Sequence, residues 1–438
     1  MCGIVGLFSK YPSDVDSLLI RMRDTMIHRG PNDAGIWWST DRRLGLGHRR
    51  LSILYLTPTG HQPMEDNSGK YVITFNGEIY NYLDLRKYLK KTDHAFQSSS
   101  DTEVLLESYK EWGTKCLDRL SGAFAFAIFD LNRLELFLAR DRTGEKPLYY
   151  KQSKDRFVFA SELKALMADS DFPRILNLGA LDYYLTYGYV SGEQTILEDT
   201  YKLQPGHAMV YNLNTQLLNN WCYWTLPKYQ VTKECSEEEM IEDMESLLSN
   251  SIKRQLVADV PVGILLSGGL DSSLITAIAS RNGANKISTF TVSFLGHDSF
   301  DEGPFARQVA EYFGTDHHTL IAEQVSVSML PQIARQFDEP IADHSIVPTC
   351  MLADLVSKSI TVALGGDGGD ELFGGYTHYN LLQKVERIRN VVPEFARNKA
   401  SFLASHILPI GFRGNNHIIG MNGDLKNSHA AINIYFHK

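Results

Sequence analysis

Cys2 follows the initiator methionine, so removal of Met1 would leave a thiol and a free α-amine on one residue. An α-amine has a reference pKa of about 7.7–8.0 and can take the thiol proton without a histidine. Cys2 therefore reads as a nucleophile that carries its own base. A second chemistry-bearing stretch is Ser267-Gly268-Gly269-Leu270-Asp271-Ser272-Ser273, set after an apolar run and before a helical one. Glycines let backbone amides approach a ligand, hydroxyls add donors, and a helix N-terminus favours an anion. A carboxylate in such a cradle, Asp271, repels phosphate unless a divalent cation stands between them, which points to Mg²⁺ with a polyphosphate. No Lys occupies the Walker position, so the ordinary P-loop pattern is not met. Gly365-Gly366-Asp367-Gly368-Gly369-Asp370-Glu371 repeats the logic after another apolar strand, and two such loops suggest one shared metal–nucleotide site.

The elements that must position these residues change character along the chain. Short apolar or alternating runs at Gly3–Phe8, Tyr71–Phe75, Ala123–Asp130, Leu134–Ala139 and Phe157–Ala160, bounded by turn residues, predict a mostly antiparallel β unit over 1–211. Ser13–Met26 and Thr102–Trp112 have helical spacing, with Asp101 as the expected cap of the second. Residues 212–235 lose any sustained period and read as a linker, leaving 236–438 as a second domain. There Ser236 and Glu239 open a helix whose Met240, Ile241, Met244, Leu247, Leu248, Ile252 and Leu256 keep a 3.6-residue period. Strand Val262–Leu266, turn Ser267–Ser273, helix Leu274–Ser280, strand Ile287–Phe294, helices Phe305–Phe313 and Ser345–Ser357 and strand Ile360–Leu364 follow. That alternation predicts an α/β, doubly wound parallel sheet with ligands at the carboxyl ends of its strands.

Composition narrows the partners. At 438 residues the chain is long enough for two or three domains, and 43% hydrophobic with 22% charged residues describes a soluble globular protein. A net charge of −9 without a basic stripe argues against nucleic acid. Five cysteines without CxxC spacing suggest neither a disulfide framework nor a zinc site, and fit a reducing cytoplasm. No apolar run approaches a membrane span and no signal peptide is present, so a cytoplasmic protein without membrane contact is expected.

The Ser267–Ser273 loop resembles the pyrophosphate-binding loop of ATP pyrophosphatases, and together with Cys2 the chain resembles the glutamine-hydrolysing asparagine synthetase family. His28-Arg29-Gly30-Pro31, Arg50-Leu51-Ser52-Ile53, Asn76-Gly77-Glu78-Ile79-Tyr80-Asn81, Ser100-Asp101-Thr102-Glu103, Asp141–Tyr149 and Ala160-Ser161-Glu162 resemble that family's glutaminase motifs in order and spacing. The resemblance implies an α+β domain of N-terminal-nucleophile type, with antiparallel sheets layered with helices, followed by an ATP-pyrophosphatase domain. It implies that Arg50 pairs with the glutamine carboxylate, with Leu51, Ser52, Ile53 and Leu54 beside it, and that Glu78 and Asp101 hold the α-ammonium. Asn76 and Gly77 would form the oxyanion hole, although Asn-Gly also reads as a hairpin turn. In the second domain Asp271 and Asp370 match Mg²⁺ ligands, while Leu265, Val292 and Gly366 match positions that contact ATP, beside Ser267, Gly268, Gly269, Ser272, Ser273, Gly365 and Asp367.

The activity implied is glutamine hydrolysis at Cys2, internal passage of ammonia, and its attack on an acyl-adenylate made from ATP, with aspartate as the default acceptor. A sugar or other metabolite carboxylate is the alternative acceptor, and a nucleotide-binding regulator without synthesis is the alternative of another class. A homodimer is left open. Asp367 stands where some members carry a Glu. No Arg-x-Pro-Phe-Leu-Asp-like segment or later family lysine occurs before Lys438, so the second domain is expected to be incomplete, with weak synthesis and exposed apolar surface around Phe402–Ile410.

Overall fold

Gly3–Ser9 (β1) is buried along its whole length. A strand covered on both faces needs a layer on each side, and its alternate side chains diverge accordingly. Val5 and Leu7 pack in a cluster with Leu18, Leu19 and Met22 of α1 (Asp16–Asp24), whereas Ile4 and Phe8 face a second sheet. The structure, a computed structural model, describes residues 1–12, 16–228, 235–282, 286–294, 301–322 and 327–407, with 418 and 420.

The N-terminal unit continues with β2 (Asp33–Trp38), β3 (Leu44–Arg50), β4 (Met64–Glu65), β5 (Tyr71–Ile79), α2 (Tyr82–Leu89), α3 (Asp101–Trp112), β6 (Gly122–Asp130), β7 (Glu135–Arg140), β8 (Tyr149–Gln152) and β9 (Arg156–Ala160). It closes with α4 (Leu163–Leu166), α5 (Leu178–Tyr187), β10 (Tyr201–Lys202), β11 (His207–Asn212) and β12 (Leu218–Cys222). Two antiparallel sheets result, ordered β10-β8-β9-β1-β3-β2 and β12-β11-β7-β6-β5-β4. Their facing sides share one core that includes Ile4, Phe8, Phe129, Leu138, Phe157 and Tyr211. Helices α2 and α3 cover the outer side of the second sheet, while α1, α4 and α5 cover the first. The predicted antiparallel α+β unit is thus a four-layer stack.

Three local expectations are corrected here. The segment expected to be a linker, 212–235, contains β12, which pairs with β11 from His207↔Cys222 to Tyr211↔Leu218, so the N-terminal unit runs past 211; residues 229–234 lie outside the described residues. Ser100, not Asp101, caps α3, because its side chain accepts the Glu103 amide, while Asp101 accepts the Ile79 amide across to β5. Asn76-Gly77 is no hairpin turn: both lie inside β5, opposite Ala125 and Phe124 of β6. Of the predicted helix at Ser13–Met26, residues 13–15 lie outside the described residues.

The second unit runs α6 (Glu237–Gln255), β13 (Val262–Leu265), α7 (Leu270–Asn282), β14 (Ser288–Phe294), α8 (Gly303–Phe313), β15 (Asp316–Ala322), α9 (Leu330–Ala334), α10 (Ile346–Ser357), β16 (Val362–Leu364), α11 (Gly369–Phe373), α12 (Thr377–Val391) and α13 (Glu394–Ile407). Its strands form a parallel sheet ordered β15-β14-β13-β16. Ile264 packs with Ile252, Ile278 and Ala279 of α6 and α7, Leu266 with Ala306 and Ala310 of α8, and Phe290 with Val356 of α10, so helices flank the sheet as predicted. Ser236 and Glu239 form the predicted capping box. Only the last two turns of α6 reach the core, however: Ile252 is buried while Ile241 and Leu247 are 50% and 71% exposed. Phe402, Leu403 and Ile407 of α13 are also exposed; residues 408–410 lie outside the described residues.

Candidate active sites

Strand pairing brings the first set of residues together. Cys2 precedes β1, Leu51 follows β3, and the register Gly3↔Arg49 sets them side by side. The Leu51 amide donates to Cys2 Sγ at 3.4 Å, and Arg29 Nε donates to the Cys2 carbonyl at 2.8 Å. Burial pushes the thiol above its ordinary range against the pull of the Leu51 amide. With Met1 in place the free amine belongs to Met1, where burial holds it down at about 6.

Asn76 lines the same cavity, is fully buried, and neither its side-chain nitrogen nor its oxygen has a hydrogen-bond partner among the described residues. A buried amide left unmatched costs on the order of 1–3 kcal/mol per group, so it calls for a ligand. At Gly77 a Cβ would lie 2.7 Å from Phe124 Cα, which restricts this position to glycine. Glu78 and Asp101 also line the cavity. Burial, then the charge of Asp101, raises Glu78 to about 7, and burial raises Asp101 to about 6. Two sheltered acids with raised pKa values form a socket that a cation would relieve.

Arg50 reaches this cavity, but its guanidinium donates to the carbonyls of Leu54, Tyr55 and Thr57 at 3.2, 2.6 and 3.3 Å. Its fork therefore shapes the loop after β3 as well as facing the cavity. Leu51, Ile53 and Leu54 line the cavity; Ser52 does not, and its amide instead donates to Asn32. The sequence reading missed Gln62, whose Oε1 accepts the Phe75 amide at 2.7 Å, and His48, which burial lowers to about 4 and which sits 3.0 Å from the Phe75 carbonyl. Neither lies in a chemical motif: His48 reaches β5 from β3 of the facing sheet, and Gln62, which lines the cavity, reaches it from the connection before β4.

This cavity, about 520 Å³, does not end within the N-terminal unit. Its far wall is Leu248, Ser251, Ile252 and Gln255 of α6, Ile275 of α7, and Thr361–Leu364, Gly365 and Asp367. A second cavity of about 510 Å³ lies at the carboxyl ends of β13, β14 and β16. Leu265, Ser267, Gly269, Asp271, Ser272, Val292, Gly365, Gly366, Asp367 and Asp370 line it, so the two acidic Gly-rich loops converge. Gly365 and Asp367 belong to both cavities.

Two predicted residues stand aside. Gly268 adopts φ +82°, and a Cβ there would come within 2.6 Å of Phe305 Cβ, so it makes the turn and the close approach to α8. Ser273 is half-buried on α7 with its hydroxyl oxygen sheltered, and the helix starts at Leu270 rather than Leu274, carrying Asp271 and Ser272 in its first turn. Ser272 Oγ lies 3.0 Å from Ser267 Oγ and ties the loop to the helix. A Cβ on Gly369 would lie 2.6 Å from Asp271 Cγ, showing how closely the loops interleave. Among the described residues no group of three or more His, Cys, Asp or Glu could hold a metal by itself. Two carboxylates on one cavity suit a cation that takes its remaining oxygens from phosphate and water.

Residues 1–224 match the family model described as glutamine amidotransferase domain, and residues 243–412 the one described as asparagine synthase. A Methanocaldococcus jannaschii protein with the provisional name glutamine-hydrolysing asparagine synthetase 2 is 35% identical over 418 residues, covering 91% of this chain and 79% of that protein. Glutamine-hydrolysing asparagine synthetases 1 and 3 of Bacillus subtilis are 34% and 36% identical, covering 94% and 87% of this chain. The chain spans 65% and 64% of their lengths.

Proposed function

The chain belongs to the glutamine-hydrolysing asparagine synthetase family, and from that premise we propose that it is an ATP-dependent amidotransferase whose acceptor is aspartate. The observation that carries this reading is the cavity that begins at Cys2 and Asn76 and reaches Asp367, where the nucleotide-type cavity begins.

Once Met1 is removed, the α-amine of Cys2 takes the thiol proton and Sγ adds to the side-chain carbonyl of glutamine. The unmatched Asn76 amide donates to the developing oxyanion, Glu78 and Asp101 hold the substrate ammonium, and the C–N bond breaks to give a thioester and ammonia. Water then hydrolyses the thioester. Ammonia moves along the cavity between the units, past Leu248, Ile252 and Leu364, which are apolar and do not hold it. At the far end it attacks an acyl-adenylate of aspartate and displaces AMP, the adenylate having formed with release of pyrophosphate. Leu265 and Val292 would flank the nucleotide, and the backbone of Ser267 and Gly269 would face the phosphates at the start of α7. Asp271 and Asp370 would hold Mg²⁺, which supplies charge neutralisation at the phosphates.

The test is to incubate the purified chain with ATP, Mg²⁺ and glutamine, with and without aspartate, and to measure ammonia, AMP and asparagine. Glutamine-dependent AMP and asparagine formation that requires aspartate supports the reading. AMP formed only with a different carboxylic acid removes aspartate as the acceptor.

A further inference from the structure

Two ion pairs seat segment 336–342, which leads into α10, on the N-terminal unit. In one, Glu339 Oε2 lies 2.7 Å from Lys202 Nζ and its Oε1 accepts the Ile196 amide at 2.9 Å. In the other, Asp338 Oδ2 accepts the Lys164 amide at 2.9 Å and Oδ1 lies 3.3 Å from Lys164 Nζ. Both carboxylates are sheltered, with side chains 9% and 14% exposed for Asp338 and Glu339. They differ in what stands behind them.

Lys202 ends at the Val190 carbonyl. Lys164 Nζ instead continues to Glu162 Oε2 at 2.9 Å, and Glu162 Oε1 accepts from Arg29 at 2.9 Å and lies 3.0 Å from His28 Nε2. Arg29 in turn donates its Nε to the Cys2 carbonyl. An unbroken line of charged side chains thus joins a carboxylate of the second unit to the main chain of the nucleophile. Glu162 is the pivot: burial disfavours its charge, yet His28, Lys164 and Arg29 outweigh burial and hold it at about 2. Lys164 Nζ is shared among Glu162, Asp338 and, at 3.3 Å, the Gln336 carbonyl of the same segment, so removing the Asp338 charge changes how firmly its ammonium is held to Glu162. The same segment runs into α10, whose Pro348, Thr349 and Leu352 line the second cavity.

We propose that Asp338 is a positioning residue for the Cys2 site, acting through Lys164, Glu162 and Arg29, so that glutamine hydrolysis reaches its full rate only when segment 336–342 is seated. This rests on the reading of Cys2 as the glutamine-hydrolysing nucleophile. The bridge orients the Cys2 main chain, and through it the direction of Sγ towards the Leu51 amide. It does not touch the socket for the substrate, so its loss falls on kcat rather than KM.

The experiment is steady-state glutamine hydrolysis by the full chain and the variants D338N, K164M, K164R and E339Q, with circular dichroism and thermal unfolding to confirm folding. D338N and K164M should each lower kcat roughly tenfold with KM little changed, the size of a moderate coupling between sites. K164R should recover most of the loss, and E339Q, which cuts only the neighbouring ion pair, should leave kcat at the parent value. D338N combined with K164M should be no worse than either alone. A parental kcat in folded D338N overturns the proposal. An equal loss in E339Q also overturns it, because seating in general would then be responsible. Should D338N not fold, the contrast between K164M and K164R decides, equal activity in the two being the contrary result. Failure of the underlying reading looks different: the parent chain itself would show no glutamine hydrolysis sensitive to C2A.

Discussion

The residues that carry the proposed chemistry are few, and each has a separate test. Cys2→Ala should reduce glutamine hydrolysis to background while leaving ammonia-dependent AMP formation near the parent level, because only the thioester step needs the thiol. Measured ammonia release by the variant checks this. Glu78 and Asp101 give a pH prediction. Their ordinary values are about 4.3 and 3.9, and in the fold they stand near 7 and 6. Raised carboxyls contribute stability fully only below the unfolded values, and the contribution is lost as pH rises through the folded ones. A bound ammonium favours the ionised pair, so glutamine should bind more tightly as pH rises through that window. Thermal unfolding of Cys2→Ala with and without glutamine should show a stabilisation that grows from about pH 5 to about pH 8, and Glu78→Gln should flatten it. An unchanged shift across the range contradicts the ammonium socket.

At the scale of elements, short connections at the ends of β13 and β16 decide the second site. Glycine at 369 matters through a contact rather than through flexibility, since a Cβ would press on the Asp271 carboxylate, which would have to move. Gly369→Ala should therefore displace Asp271 and weaken Mg–ATP binding about tenfold, or ~1.4 kcal/mol, without altering glutamine hydrolysis at the distant Cys2. Calorimetry with Mg–ATP reads the first effect and ammonia release the second; unchanged affinity would show that the loops have room to part. The N-terminal turns of α6 carry a lesson about periodicity. Met240, Ile241, Met244 and Leu247 keep the helical repeat of a buried face but stay exposed, while Ile252 near the other end is buried. Periodicity reports which side of a helix is apolar, not how much of its length is covered.

At the scale of the whole molecule, the contact between the two units makes one cavity from residues far apart in sequence. Ser251 is an exposed α6 residue on its wall, so enlarging it obstructs the passage without disturbing either chemistry. Ser251→Trp should keep glutamine hydrolysis and ammonia-dependent AMP formation while lowering glutamine-dependent AMP formation several-fold, so that more ammonia escapes per AMP made. Equal coupling in parent and variant would place the route elsewhere.

Residue types and spacing sufficed to single out the two Gly-rich loops, which converge on one cavity, and the change from antiparallel to parallel architecture, because glycine-rich turns after apolar strands and strand–helix alternation have local signatures. Other parts were decided only by tertiary structure. Asn76-Gly77 has the local pattern of a hairpin turn, yet β6 holds it in mid-strand, where the Asn76 amide lines the Cys2 cavity without a partner among the described residues. His48 and Gln62 carry no motif, and α7 starts at Leu270, where Ser272 Oγ meets Ser267 Oγ of the preceding loop. Asp338 and Lys164 are ordinary charged residues until the units dock and place them 3.3 Å apart. Local sequence specifies which groups can react. Burial, the absence of a partner and contact between distant segments are properties of the assembled chain, and they set which of those groups face one another.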